Sequence, residues 1–372
     1  MQLYNSYIDV IRQAINSTEL QKGRKLTLRD KGMRPILEHR RFDAKVSEKA
    51  NQLDPTASLY QLARLLGRKS KLPISGDHPD FVHLRATPGM VYEYHYIVSI
   101  FMDVKNSTSL FRKYTLEQIP IIIQAIVTAA THTCALFDGH IQRMQYDGVF
   151  AYFGGKGCSP EDAVKNAINA ASFFNYFVKY ELPVVFEAFE INPIFTRTGI
   201  DFGEDSDTIW SIYGTGDCTE LTTTSLHTSL APKMQSCASS NGIMVGDNVK
   251  LRMGANAVFC DLKRLSNGNV DEAQRYIFED PDDNFYYTQY NFSWDKYLRK
   301  TYDFVKTNDK GKLFIDYDPT ITDQELARRL MAAHTANELE SGRSSLDKNL
   351  NIIKGSSGII VPRERNHYED PR

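Results

Sequence analysis

Apolar positions along the chain recur with two different periods, and the change between them falls near residue 90. Before it, Leu3, Tyr7, Ile8, Ile11, Ala14 and Ile15 keep helical spacing, a basic run follows, and SLYQLARLLGR reads as a further short helix. The stretch KSKLPISGDHPD, with two prolines and a glycine, reads as a linker. Residues 1–85 are therefore expected to form a helical, basic N-terminal extension with its linker.

From Tyr92 the pattern becomes that of interleaved strands and helices. YEYHYIVSIFMDV predicts a buried strand, residues 115–137 a helix, the surroundings of Asp147 a hairpin, and residues 159–179 a second helix. Further strands are expected at PVVFEAFEINP, FTRTGIDFGE and GIMVGDNV, with a helix between residues 224 and 239. This order predicts an α+β domain over 90–265, a mixed sheet covered by helices on one side. Residues 266–340 hold the aromatic-rich YIFEDPDDNFYYTQYNFSWDKYLRK and a charged helical stretch, TDQELARRLMAAHTANELES, and read as a small region of their own. The tail, 341–372, is too poor in core-forming residues to pack and is expected to be flexible.

Composition narrows the class. With 42% hydrophobic and 24% charged residues in 372, the chain can bury a sizeable core. The net charge of −2 conceals an asymmetry, since the first 72 residues carry 15 Lys/Arg against 7 Asp/Glu. That basic stretch lacks the interleaved aromatics of a stacking platform, so no nucleic-acid partner is expected. Five cysteines without C-x-x-C spacing fit free thiols in a reducing compartment. No stretch is read as reaching the ~18 apolar residues of a spanning helix, and a cytoplasmic protein without a membrane partner is expected.

Two segments carry candidate chemistry. FMDVKNST, residues 101–108, ends a hydrophobic strand in Asp103 and turns through small polar residues. A carboxylate at a strand end can hold a hard cation, and exposed backbone N–H groups after it can cradle phosphate; the plain alternative is an Asp capping the next helix. Forty-four residues on, IQRMQYDGVFAYF places Asp147 at a hairpin tip, where Asp-Gly is also an ordinary turn.

These segments, together with TRTGIDFGE at 196–204 and SLAPKMQSCASSNGIMVGDNV at 229–249, resemble the class III nucleotidyl cyclases over about residues 92–250. The resemblance implies a homodimer with shared active sites that closes a nucleoside triphosphate into a 3′,5′-cyclic monophosphate and releases pyrophosphate. It implies two Mg²⁺ or Mn²⁺ ions per site on Asp103, the Val104 carbonyl and Asp147, with the backbone of Lys105, Asn106, Ser107 and Thr108 on the β- and γ-phosphates. Where the family has a transition-state arginine this chain has Lys233, and Ser229 replaces the asparagine four residues earlier; a solvated helix lysine is the plain alternative. Tyr146 stands for the family's glycine before the second aspartate.

Arg143 lies four residues before Asp147, at the position where adenylate cyclases have lysine and guanylate cyclases glutamate; a surface arginine is the plain alternative. The polar insert TGDCTELTTTSLHT, residues 215–228, offers Glu220 and Thr222 to base edges, or is a threonine-rich strand. Arg143 with this insert resembles the pyrimidine cyclases of the Pycsar anti-phage defence system. That implies CTP, or UTP, as substrate and a separate effector for the cyclic product. CTP is placed ahead because a guanidinium fork matches the adjacent O2 and N3 acceptors of cytosine. The aromatic stretch from Phe285 to Leu298 resembles, more loosely, a sensor domain appended to some second-messenger synthases. Two other readings stay open: an adenylate cyclase with an altered base pocket, and a catalytically silent nucleotide-binding domain, which the departures at Ser229 and Lys233 would favour and the intact aspartates oppose.

Overall fold

Strand β2 (Ile97–Val104) is paired along both edges, by β4 (Gly148–Phe153) and β5 (Thr196–Gly203), and mostly buried because helices pack on its two faces. A computed structural model describes residues 60–69, 71–86, 91–116, 118–187 and 191–316, and the backbone of 344–346 and 352–354. Around β2 the main sheet has eight strands. With β3 (His140–Gln145), β8 (Gly242–Gly246), β10 (Tyr276–Asp280) and β11 (Phe285–Phe292), its order is β10-β11-β8-β5-β2-β4-β3, and β9 (Cys260–Asp261) also pairs with β11. The β5–β8 pair is parallel and the other pairs are antiparallel.

The strand expected over 92–104 is two strands. Strand β1 (Tyr92–Tyr94) leaves the main sheet to pair with β6 (Ile209–Thr215), which pairs in turn with β7 (Cys218–Thr224). The break falls at Tyr96, whose N–H donates to Asp205 Oδ1 at 2.6 Å and whose ring stacks on Phe202. The polar insert is thus a threonine-rich hairpin, anchored on the domain by Trp210 and Leu221, which are buried with Phe81, Ile97 and Tyr152.

Helices α3 (Gln118–Leu136) and α4 (Pro160–Tyr176) pack on one face of the sheet; two short helices, α1 (Tyr60–Leu65) and α2 (Leu110–Lys113), precede them. Ser159 caps α4 by accepting the Asp162 N–H at 3.1 Å, with Pro160 in the first position. Helix α3, 19 residues long, is apolar enough to cross a bilayer by length and composition, which corrects the expectation that no stretch reaches that length; most of it is buried inside the fold. Among the described residues of PVVFEAFEINP no strand forms. Helix α4 continues through a π turn (Phe177–Glu181) into α5 (Leu182–Glu187). The buried residues Phe177, Val178, Glu181, Leu182 and Phe186 keep helical spacing, and burying that stripe outweighs the strand preference of the valines.

Helix α6 (Leu226–Cys237) lies on the opposite face. On β5, Thr196 Oγ1 reaches Asn175 of α4, while the next side chain, Arg197, donates to Ser236 O of α6 at 3.2 Å. Helices therefore cover both faces, not one. Gly199 is what lets α6 come so close: a Cβ there would stand 2.1 Å from Ala231 O and 2.4 Å from Gln235 N, both backbone atoms. Gly199→Ala must push the helix away, so it is expected to cost about 1–3 kcal/mol or more. Thermal unfolding checks this, and a melting temperature within a degree of the parent would contradict the close approach.

Two sequence-defined boundaries shift. The stretch 266–340, set apart in sequence, continues the main sheet as far as it is described, because β11 pairs with β8 from Phe292 opposite Ile243 to Gln289 opposite Gly246. Its aromatics are the reason: Tyr287, Phe292, Trp294 and Tyr297 are all buried against the domain. Helix α7 (Asp247–Arg252) follows β8, and helix α8 (Trp294–Thr301) and the hairpin β12 (Val305–Thr307) and β13 (Leu313–Ile315) follow β11. At the other end, the linker of residues 69–80 is docked rather than free. Gly76 N–H donates to Ile141 O at 3.0 Å, His78 is buried, and Phe81 stacks on Trp210 at 4.0 Å between centroids, so the segment covers the β3 edge.

The chain divides into two units, 1–317 and 318–372. In the second, β14 (Ser344–Leu346) pairs antiparallel with β15 (Ile352–Lys354). The amphipathic helix and basic run of residues 1–59 and the helix expected over 322–341 lie outside the described residues.

Candidate active site

Asp103 stands at the penultimate position of β2, directly opposite Gly148, the first residue of β4. The hairpin tip is held beside it by the Val104 N–H, which donates to Asp147 O at 3.1 Å. Tyr146 turns the hairpin with φ 41°, in the left-handed region that glycine enters without strain. The two carboxyls lie close enough for the charge of Asp147 to act on Asp103. Burial first, and then Asp147, push the Asp103 carboxyl up to about 6, with Arg197 pulling the other way.

Two residues absent from the sequence reading converge on Asp103. Arg197 Nη2 donates to Oδ2 at 3.1 Å, and Gln235 Nε2 donates to the same oxygen at 3.0 Å. Arg197 Nε is buried without a partner among the described residues. Its only sequence signal was its place in TRTGIDFGE. Beyond Asp103 the chain turns through Asn106, left-handed at φ 58°, into a 3₁₀ turn over Ser107–Ser109. The Lys105 N–H is already committed to Phe195 O at 2.8 Å, which removes it from the backbone donors assigned to phosphate; its ammonium reaches Ser240 Oγ at 3.2 Å.

The donor set fits a hard divalent cation. Among the described residues no cluster of three or more His, Cys, Asp or Glu side chains forms a closed metal cage. Two repelling carboxylates on adjacent strand ends instead offer oxygen ligands, leaving further positions for backbone and phosphate oxygens.

The base-reading candidates also come together. Arg143 Nη2 donates to Glu220 Oε2, and Gln142, missed in sequence, donates to Glu220 Oε1 at 3.1 Å. Thr222 is not free for a ligand in the same way. Its hydroxyl pairs with Tyr152 OH at 3.1 Å, in a chain that runs on through Thr223 and Thr228 to Ser99.

Ser229 and Lys233 do not join the aspartates within one chain. Both are exposed, one turn apart on α6. Gln235, which does reach Asp103, is two residues from Lys233, so the two side chains leave the helix on nearly opposite sides. The Ser229 hydroxyl turns back to Ser225 O at 3.1 Å. The first turn of α6 is fixed from beneath by Asp201, fully buried, whose Oδ2 lies 2.9 Å from His227 Nδ1 and whose Oδ1 accepts from Tyr287 OH at 2.7 Å.

No protein-family model matches the chain. Among solved structures it is similar to a guanylyl cyclase, Cya2, at 15% identity and a TM-score of 0.44, covering 55% of this chain and 93% of that one. Among curated proteins it is 40% identical over 242 residues to a cytidylate cyclase of Staphylococcus aureus, 64% of this chain and 56% of that protein. A cytidylate cyclase of Escherichia coli is 33% identical over 258 residues, 65% and 53% of the two lengths. The chain thus spans about half the length of the curated relatives it matches. The resemblance to nucleotidyl cyclases read from the motifs is borne out in these relatives, and their names fall on the cytidylate side of the pyrimidine pair.

Proposed function

We propose that the chain is a cytidylate cyclase, converting CTP into 3′,5′-cyclic CMP and pyrophosphate. The observation that carries the reading is the meeting of Asp103 and Asp147 at the end of β2, and the named relatives support it. In the reaction the ribose 3′-oxygen bonds to the α-phosphorus, the bond from that phosphorus to the bridging oxygen breaks, pyrophosphate leaves, and the hydroxyl proton passes to solvent.

Asp103, Asp147 and the Val104 carbonyl would hold Mg²⁺ or Mn²⁺, two per site. Bound there, the ions supply charge neutralisation for the triphosphate and acidify the 3′-hydroxyl. The chain's own groups orient the rest. Backbone of Asn106, Ser107 and Thr108 faces the phosphates, and Arg197, donating to Asp103, holds that carboxylate in place. Arg143 meets the cytosine edge. Lys233 and Ser229, exposed and turned away from their own aspartates, serve the site of a second copy in a homodimer. The same reading gives the product a separate effector in anti-phage defence, and places the enzyme in the cytoplasm.

Incubation with CTP, UTP, ATP and GTP in the presence of Mn²⁺, with products identified by mass, tests the substrate. Cyclic CMP is expected as the main product. A cyclic purine product would overturn the pyrimidine reading, whereas a clear preference for UTP would overturn only the argument from the arginine fork.

A further inference from the structure

Strand β3 changes register between Ile141, which pairs with Ala151, and Arg143, which pairs with Phe150. Gln142 is left as the extra residue of a β-bulge. Successive side chains on a regular strand take opposite faces, but here neighbours reach the same carboxylate. Gln142 Nε2 donates to Glu220 Oε1 at 3.1 Å and to Leu221 O at 2.8 Å, while Arg143 donates to Glu220 Oε2. Both oxygens of Glu220 are therefore engaged from β3.

Gln142 is 5% exposed, and its Oε1 is buried without a hydrogen-bond partner among the described residues. An orphaned buried acceptor destabilises a fold. Reversing the amide would do worse, because it would set the oxygen against two other acceptors. The side chain forgoes its acceptor and keeps both donors on Glu220 and the β7 backbone. The remaining N–H groups of Arg143 make no hydrogen bond among the described residues, and the neighbouring carboxylate offsets its charge.

We propose that Glu220 is a positioning residue and not a base contact: anchored by Gln142, it fixes the Arg143 guanidinium in one orientation, and that orientation sets the discrimination between cytosine and uracil. This rests on the reading of Arg143 as the base-reading residue. A guanidinium free to rotate would meet O2 of either base equally well; one held by a carboxylate on one side presents a fixed pair of donors on the other.

The test compares Glu220→Ala, Glu220→Gln and Gln142→Leu with the parent. It measures kcat/KM for CTP and UTP, equilibrium binding of 3′-deoxy-CTP and 3′-deoxy-UTP with Mg²⁺, and thermal melting. In Glu220→Ala and Gln142→Leu the CTP to UTP ratio is expected to move about tenfold toward one, the worth of a lost hydrogen bond to a charged group, in both turnover and binding. Glu220→Gln, which keeps one acceptor for Arg143, recovers part of it. Glu220→Ala, whose side chain is partly exposed, is expected to melt somewhat lower but to stay folded, and that variant decides alone if Gln142→Leu does not fold. An unchanged ratio in a folded Glu220→Ala overturns the proposal, as does a parent that binds the two analogues equally. If no triphosphate is cyclised but the analogues are discriminated and the variants lose that discrimination, the cyclase reading fails and the positioning role stands.

Discussion

Asp103→Asn and Asp147→Asn are each expected to lower turnover by on the order of a thousandfold or more, because each takes a carboxylate from the acidic pair proposed to hold the ions and so forfeits several kcal/mol of charge stabilisation. The fold is expected to survive. Asp103 is pushed up to about 6 from the ordinary 3.8, first by burial and then by Asp147. A carboxyl raised by folding contributes stability that is fully present below its ordinary value and is lost as the pH rises through the folded one, here about 6. At neutral pH the ion-free protein thus carries this charge at a cost, and the asparagine removes it. Melting of Asp103→Asn at pH 7 should equal or exceed that of the parent, while added Mn²⁺ should raise melting of the parent and not of the variant. Turnover near the parent rate in either variant would sink the paired-carboxylate reading, whatever the melting curves show.

Much of this architecture is legible in the sequence because its signals are local. A long apolar run ending in an aspartate, an Asp-Gly turn between two β-rich runs, and Ser-Pro-Glu-Asp before an apolar helical pattern each locate an element from neighbouring residues alone. Those signals locate elements only; setting Asp103 with Asp147, and Arg143 and Glu220 at one base, comes from the resemblance to nucleotidyl cyclases, and the Arg143–Glu220 contact itself is not anticipated. What stayed hidden depends on contacts made far along the chain. Arg197 and Gln235 reach Asp103 across 94 and 132 residues, and their places in TRTGIDFGE and SLAPKMQSC say nothing of that contact. The aromatic stretch after residue 265 looks like a separate region until its partner β8 is known. A single-residue bulge at Gln142 reverses the face of every side chain before it on β3 relative to a regular strand, and simple alternation has no means of locating one. The strand expected at PVVFEAFEINP failed for the related reason that valine and phenylalanine satisfy either period, so the packing of α4 against the sheet decided between them.

The exposure of Lys233 leads to the second large effect. A helix residue that leaves α6 on the side away from Gln235 cannot serve the aspartate that Gln235 contacts, so its charge must act in another copy or not act at all. If it acts in the other copy, Lys233→Ala should cut turnover about a hundredfold to a thousandfold, the usual loss when a donor to a developing oxyanion is removed. Mixed with Asp103→Asn, itself inactive, it should then restore activity. Half of a random 1:1 mixture is heterodimer, and each heterodimer holds one site with both residues intact and one with neither, so recovery should approach about a quarter of the parent rate. The measurement is cyclic CMP formation by the equimolar mixture, with heterodimer content followed by differently tagged chains. Heterodimers that form without any recovery would rule out a site shared between copies, and Lys233 would then be only a solvated lysine on the outer side of α6.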